Sequence, residues 1–264
     1  MDDNCENIDS TACLRGMQAA GTLACATRGM DGAPRVRFLA GLHFELDAVY
    51  LLASRGMPFA RQLMHDDRIQ LLAEARPGVS IRLTGRAVPV PEDEQVRWRL
   101  VIFDERPQYR ELYPALKYDD SLVFVVRDGY FEWLDLVSDP ILRVYVPFGS
   151  GEIKPSGYRI SDKCARCGTC LASCPQHCIV PGDPFRIEQI HCLQCGACVE
   201  TCSSGLPRPL LWAGTSKCAR RSMRWRSSAS ARGVSLWRSS VFVVRTFFTR
   251  VLYHIDLNRR LVEP

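Results

Sequence analysis

Cys164-Ala165-Arg166-Cys167-Gly168-Thr169-Cys170-Leu171-Ala172-Ser173-Cys174-Pro175 and Cys192-Leu193-Gln194-Cys195-Gly196-Ala197-Cys198-Val199-Glu200-Thr201-Cys202-Ser203 are two copies of one ladder, C-x2-C-x2-C-x3-C. Three cysteines at steps of three, in a curling loop, bring three thiolates around one iron–sulfur cluster. A fourth must come from elsewhere. Gly168 and Gly196 hold the same place in each copy, where a residue without a Cβ permits a tight turn. Zinc also takes C-x2-C pairs, but its site closes with four ligands and has no use for a third cysteine at the same step. A disulfide framework suits small secreted chains. Met1-Asp2-Asp3-Asn4 is acidic and lacks an apolar signal region, so the expectation is a reducing, cytoplasmic compartment. Cys5, Cys13, Cys25, Cys178 and Cys218 have no ladder spacing. They read as small buried hydrophobes, with Cys178 packed near a cluster.

Over about 45 residues the segment resembles a bacterial-type two-cluster ferredoxin. In such ferredoxins the last cysteine of each ladder serves the other cluster. The resemblance therefore implies two [4Fe–4S] clusters, one on Cys164, Cys167, Cys170 and Cys202, the other on Cys192, Cys195, Cys198 and Cys174. Electron transfer is the first function it implies.

The 264 residues carry a net charge of +5, unevenly spread. Residues 203–264 hold twelve basic against two acidic side chains, and the rest is net acidic. The basic pI thus belongs to the tail, which argues against a nucleic-acid surface on the body. No run of 18 or more apolar residues suggests a spanning helix.

Upstream of the ladders the pattern is mostly strand. A helix is expected over residues 10–20, capped by Ser10 and stopped by Gly21. Strands follow at 22–28, 35–46, 49–54, 69–75 and 79–90. The Asp31-Gly32 turn stands between the first two. Pro58–His65 opens a short helix with proline near its first position. Another helix runs from Pro91 to about Phe103, with acids at its positive end, and one more follows Pro107. Ser121–Val126 and Tyr130–Leu136 read as a closing hairpin around Asp128-Gly129. Short strands, short turns and brief helices predict an antiparallel barrel or sandwich. No G-x-G-x-x-G opens a strand–helix unit, so a Rossmann nicotinamide domain is not expected.

Several strings in order resemble the pyridoxamine 5′-phosphate oxidase-like split-barrel flavoproteins: Gly21-Thr22-Leu23-Ala24, Asp31-Gly32-Ala33-Pro34-Arg35-Val36-Arg37-Phe38, Val49-Tyr50-Leu51, Ala60-Arg61-Gln62-Leu63 and Arg82-Leu83-Thr84-Gly85-Arg86-Ala87. The resemblance covers roughly residues 15–137. It implies a mainly β split barrel, antiparallel with short helices, joined to a small α+β ferredoxin-like iron–sulfur domain. It also implies FMN at the interface of a homodimer. Arg37 matches the arginine after the D-G-x-P turn and can pair bidentately with phosphate. Ser54 and Arg55 fall in the matching phosphate turn, and Arg61 and Gln62 lie on the following helix. The chain departs from the family at Ala53, where a hydroxyl is usual, and at Met57-Pro58-Phe59, where a lysine is usual. Some relatives bind haem or deazaflavin instead. His43 and His65 are the barrel's two histidines and read as packed or surface residues. No acid–base pair or nucleophile constellation stands out, which suits chemistry carried by a cofactor.

The expected domains are the barrel at 1–148, the two-cluster module at 149–206 and a basic Arg/Ser/Trp-rich tail at 207–264. Pro147-Phe148-Gly149-Ser150-Gly151 reads as the joint. The tail is read three ways: disordered, a frameshift product, or a segment whose Val241–Leu252 stretch lies on an anionic membrane. The expected function is a flavin- and iron–sulfur-dependent oxidoreductase with an unnamed small-molecule substrate or redox partner protein. The alternative is an electron carrier or docking module whose barrel holds no flavin.

Overall fold

The computed structural model describes residues 8–112, 120–154, 156–203 and 208–209. These lie in one compact unit, Met1–Gly214. A second unit, Thr215–Pro264, falls outside the described residues, as do Cys5, Cys218 and the Val241–Leu252 stretch.

Among the described residues, ten strands build the barrel: β1 Leu23–Arg28, β2 Pro34–Leu39, β3 Leu42–Phe44, β4 Val49–Ser54, β5 Arg68–Arg76, β6 Val79–Arg86, β7 Val88–Pro89, β8 Ser121–Val126, β9 Gly129–Asp135 and β10 Leu142–Phe148. They form two antiparallel sheets. One has the order β10-β9-β6-β5-β1-β2, the other β3-β4-β8-β7. Alternating residues of the first sheet, such as Leu23, Ile81, Leu83 and Phe131, meet Leu51 and Phe124 of the second in one apolar core. All but the last residue of β4 are buried, as its two apolar faces require. The helices are α1 Ser10–Ala20, α2 Pro58–His65, α3 Gln95–Glu105 and α4 Gln108–Leu112. α1 buries Cys13, Leu14 and Met17 in the main core, whereas α3 packs Trp98, Ile102 and Phe103 on the outer side of β4 and β8.

Four sequence expectations change. The cap of α1 is Asp9 rather than Ser10, its Oδ1 accepting the Ala12 N–H at 2.7 Å; Gly21 stops the helix at φ +70° as expected. The strand expected over 35–46 breaks at Ala40-Gly41 and passes from one sheet to the other as β2 and β3. That over 79–90 breaks likewise at Ala87 into β6 and β7. Finally, β8 and β9 do not pair as a hairpin. β8 lies beside β4, and β9 lies beside β6, so Asp128-Gly129 carries the chain between sheets. These crossings split the barrel.

β10 was not expected as a strand. It pairs with β9 through seven residues, Leu142 opposite Asp135 to Phe148 opposite Gly129. Beyond it come β11 Tyr158–Arg159, α5 Thr169–Ser173, β12 Ile179–Val180, β13 Arg186–Ile187 and α6 Ala197–Glu200. β11 pairs with a further strand, β14 Arg208–Pro209, so the chain returns to this module past residue 206.

Candidate functional site

The two ladders fold alike. Gly168 (φ +80°) and Gly196 (φ +83°) precede α5 and α6 in the left-handed region. Arg166 (φ +56°) and Gln194 (φ +60°) take the same conformation two residues after the first cysteine of each copy. This turn aims the Arg166 N–H at Cys164 Sγ and the Gln194 N–H at Cys192 Sγ, each at 3.4 Å. Hydrogen bonds to sulfur are among the features by which a protein tunes an iron–sulfur cluster. Cys170, Cys174, Cys192 and Cys198 are buried, while Cys167 and Cys195 are exposed.

The cysteines also group across the ladders. Burial pushes the Cys170 thiol up, and the charges of Cys164 and Cys202 add to this. Burial raises Cys198 to about 11, with Cys192, Cys195 and Cys174 adding to it. Cys202 therefore stands near Cys170 together with Cys164, and Cys174 near Cys198 together with Cys192 and Cys195, which fits ligand exchange between two cubes. Among the described residues no three His, Cys, Asp or Glu side chains close on a point as the ligands of one ion do; a cube spreads its four thiolates over separate irons. Cys178 is buried, its Sγ 3.5 Å from Cys174 Sγ. Cys13 and Cys25 lie in the barrel core, where burial first pushes their thiols to about 12 and about 11.

The second ladder is bonded to the barrel. His191 Nδ1 lies 2.9 Å from the Ile141 carbonyl oxygen, and the Ile141 N–H donates to Gln176 Oε1 at 2.9 Å. Gln194 Nε2 donates to Ser156 O at 2.9 Å and to Ser156 Oγ at 3.1 Å. Ser156 Oγ meets Tyr145 Oη at 3.0 Å, and Tyr145 donates to Glu132 Oε1 at 3.1 Å. Glu132 is 5% exposed on β9 and is also paired with Arg82 and Arg143. The outward row Arg82, Glu132, Tyr145 thus crosses β6, β9 and β10.

Two positions along β9 from Glu132, Tyr130 borders a cavity of about 680 Å³. That step is roughly 6–7 Å. The cavity draws on β1, the start of β2, β5, β6, β9 and the segment after β10, including Thr27, Gln70, Thr84 and Lys154. Arg28, Arg68 and Arg86 give it a cationic side. Asp66 receives Arg68 Nε at 2.8 Å and lies 3.8 Å from Arg28, and Asp67 pairs with Arg86. The Arg68 hydrogen bond holds the Asp66 carboxyl well below the usual carboxylate range.

The five residues expected to hold flavin do not line this cavity. The structure joins two of them: Arg37 Nη2 donates to Gln62 Oε1 at 2.7 Å and Nη1 to Thr27 Oγ1 at 2.8 Å. The guanidinium also lies 4.6 Å from the centre of the Phe59 ring. Thr27 in turn donates to Gln62 at 2.7 Å and lines the cavity, so this pair supports the cavity wall from behind. Arg61 is exposed on α2. Ser54 ends β4, and the Arg55 N–H beyond it donates to Asp120 O at 2.7 Å. The cavity residues were missed because they come from strands, turns and a connector far apart in the sequence, and each is ordinary in its own segment.

Residues 156–203 match the family model of the 4Fe-4S dicluster domain. No curated protein matches the chain. Solved structures similar to it include a NimC/NimA family protein from Clostridium acetobutylicum, 17% identical, covering 52% of this chain and 91% of that one with a TM-score of 0.44. A heme binding protein from Mycobacterium smegmatis is 20% identical over 56% of this chain and 63% of that one, TM-score 0.45. A protein of the pyridoxinephosphate oxidase family from Clostridium acetobutylicum is 13% identical over 52% and 95%, TM-score 0.41. The chain joins an antiparallel split barrel, defined by its own strand order, to a 4Fe-4S dicluster domain.

Proposed function

We propose that the chain is a flavin- and iron–sulfur-dependent oxidoreductase, with residues 1–148 as the flavin barrel and 149–206 as its electron-transfer module. The observation that carries this reading is the docking of the second ladder on the β9–β10 face, through Ile141, Ser156 and Tyr145, on the same sheet whose Gly129–Tyr130 end borders the 680 Å³ cavity. That volume suits a small-molecule site. Cys164, Cys167, Cys170 and Cys202 would hold one [4Fe–4S] cluster, and Cys192, Cys195, Cys198 and Cys174 the other. FMN would supply the conversion between single electrons from the clusters and two-electron chemistry on a small organic substrate. Arg28, Arg68, Arg86 and Lys154 offer cationic side chains to its phosphate or to an anionic substrate. Arg37 and Gln62 would orient Thr27 rather than touch the ligand.

The barrel also presents an apolar row for a second copy of the chain. Phe38 on β2 is 80% exposed and stands across Ala24 of β1 from the exposed Leu72 of β5. Exposed Val36 extends it. Such a row on an edge strand supports a homodimer.

Anaerobic reconstitution with iron, sulfide and FMN tests the proposal. The expected product binds flavin and about eight irons per chain; irons without flavin would sink the flavin reading. The engagement of Arg37 with Thr27 and Gln62 favours one second reading, an electron carrier whose barrel only docks a redox partner protein. Unquenched free-flavin fluorescence after reconstitution would support it. Haem or deazaflavin in the barrel would show in the absorption spectrum.

A further inference from the structure

We propose that Arg143 is a positioning residue for the second-ladder cluster, which it makes the barrel-side redox centre and whose reduction potential it raises. This rests on the iron–sulfur reading above. Arg143 lies on the outward face of β10, opposite Leu134 of β9 and diagonal to Glu132. Its side chain is 10% exposed, and it forms an ion pair with Glu132. Its Nε is buried with no hydrogen-bond partner in the described structure. A buried donor left unpaired is costly, so its retention beside the ladder points to an acceptor there. The neighbouring chemistry is sulfur. Two positions to either side of Arg143 on the chain, Ile141 meets His191 at 2.9 Å, and Tyr145 meets Ser156 at 3.0 Å, which takes a hydrogen bond from Gln194 at 3.1 Å. His191 and Gln194 lie on either side of Cys192 in the chain.

The local charge is not balanced. Glu132 is one carboxylate shared by two guanidinium groups, Arg82 and Arg143, which leaves one positive charge in excess against the second ladder. Near the first ladder, Arg166 pairs with Asp183, both more than half exposed, where solvent screens charge. One-electron reduction adds one negative charge to a cube and breaks no bond in the protein. A desolvated cation stabilises that added charge more than a screened one does. Net charge and hydrogen bonds to sulfur are what set cluster potentials. Of the two cubes, the one held by Cys192, Cys195, Cys198 and Cys174 is therefore the one tuned by the barrel.

The test uses the full chain reconstituted anaerobically with iron and sulfide. It is titrated with dithionite and redox mediators while the electron paramagnetic resonance of the reduced clusters is followed. R143M is expected to keep both clusters and to shift one midpoint to lower potential, the one whose signal C195S removes. R143K, which keeps the charge, stays nearer the wild type than R143M does. E132Q removes the compensating carboxylate and shifts the same midpoint upward. A merely structural role for the pair predicts no such opposition of sign. Unmoved midpoints in R143M, equal movement of both, or no upward shift in E132Q overturns the proposal. If R143M does not load, the sign of E132Q decides. A wild-type chain that takes up no clusters overturns the iron–sulfur reading itself, whereas a loaded chain with unmoved midpoints overturns only the role of Arg143.

Discussion

A Cβ on Gly129 would stand 2.0 Å from the Thr84 carbonyl oxygen and 3.0 Å from Gly85 Cα. One on Gly151 would stand 2.1 Å from the Gly129 carbonyl oxygen. These glycines let β6, β9 and the segment after β10 stack backbone to backbone at the cavity. Asp128 fastens the stack, its Oδ1 accepting the Ser150 N–H and hydroxyl, each at 2.7 Å. The Ser150 hydroxyl first, and then its N–H, holds the Asp128 carboxyl below its ordinary range. G129A should therefore destabilise the chain by about 1–3 kcal/mol, a fall of roughly 2–4 °C in Tm per kcal/mol for a chain of this size, read by thermal unfolding. An unchanged Tm would mean the backbone gives way more easily than this stacking implies. The sequence made Asp128-Gly129 legible as a turn. It could not say which sheet each arm joins, because turn chemistry is local and strand pairing is not.

At the scale of elements, β10 shows how a strand hides. Leu142, Val144, Val146 and Phe148 alternate with Arg143, Tyr145 and Pro147, the period of a half-buried strand. Pro147 and the following Gly-Ser-Gly disguise it as a joint. The structure resolves the conflict by placing β10 at the sheet edge, where proline is tolerated. β2, the opposite edge, carries the exposed row of Val36 and Phe38. If a second copy covers that row, a charge in it should split the assembly. F38E is expected to lower the mass seen by light scattering from twice 29.8 kDa to 29.8 kDa, with the Tm of the fold little changed. A wild-type chain that is already a monomer would remove this interface. α1 gives a milder test. D9A removes the carboxylate that caps the Ala12 N–H and should cost about 1 kcal/mol, measured by denaturant unfolding.

Across the whole molecule, what was legible depended on how far apart in sequence the partners lie. The ladders were readable because each sets its own turns within a dozen residues. The cavity was not, because its walls come from five strands and the segments between them, which only the folded sheet brings together. The cluster ligands fall between these cases. Spacing identifies eight cysteines, but which four serve one cube is a tertiary fact. Here Cys164 and Cys202 act on the Cys170 thiol, and Cys192, Cys195 and Cys174 on that of Cys198, the neighbourhoods that exchange of the last cysteine requires. Serine variants should therefore pair across the ladders rather than within them. C174S is expected to lose the same cluster as C195S, and C202S the same as C167S. Each should fall from about eight to about four irons per chain, and the surviving midpoint should match within each pair. Iron and sulfide quantitation with a redox titration reads this directly. Ligation within one ladder predicts the opposite, with C174S resembling C167S, while the centre beside Arg143 would still be the one that C195S removes.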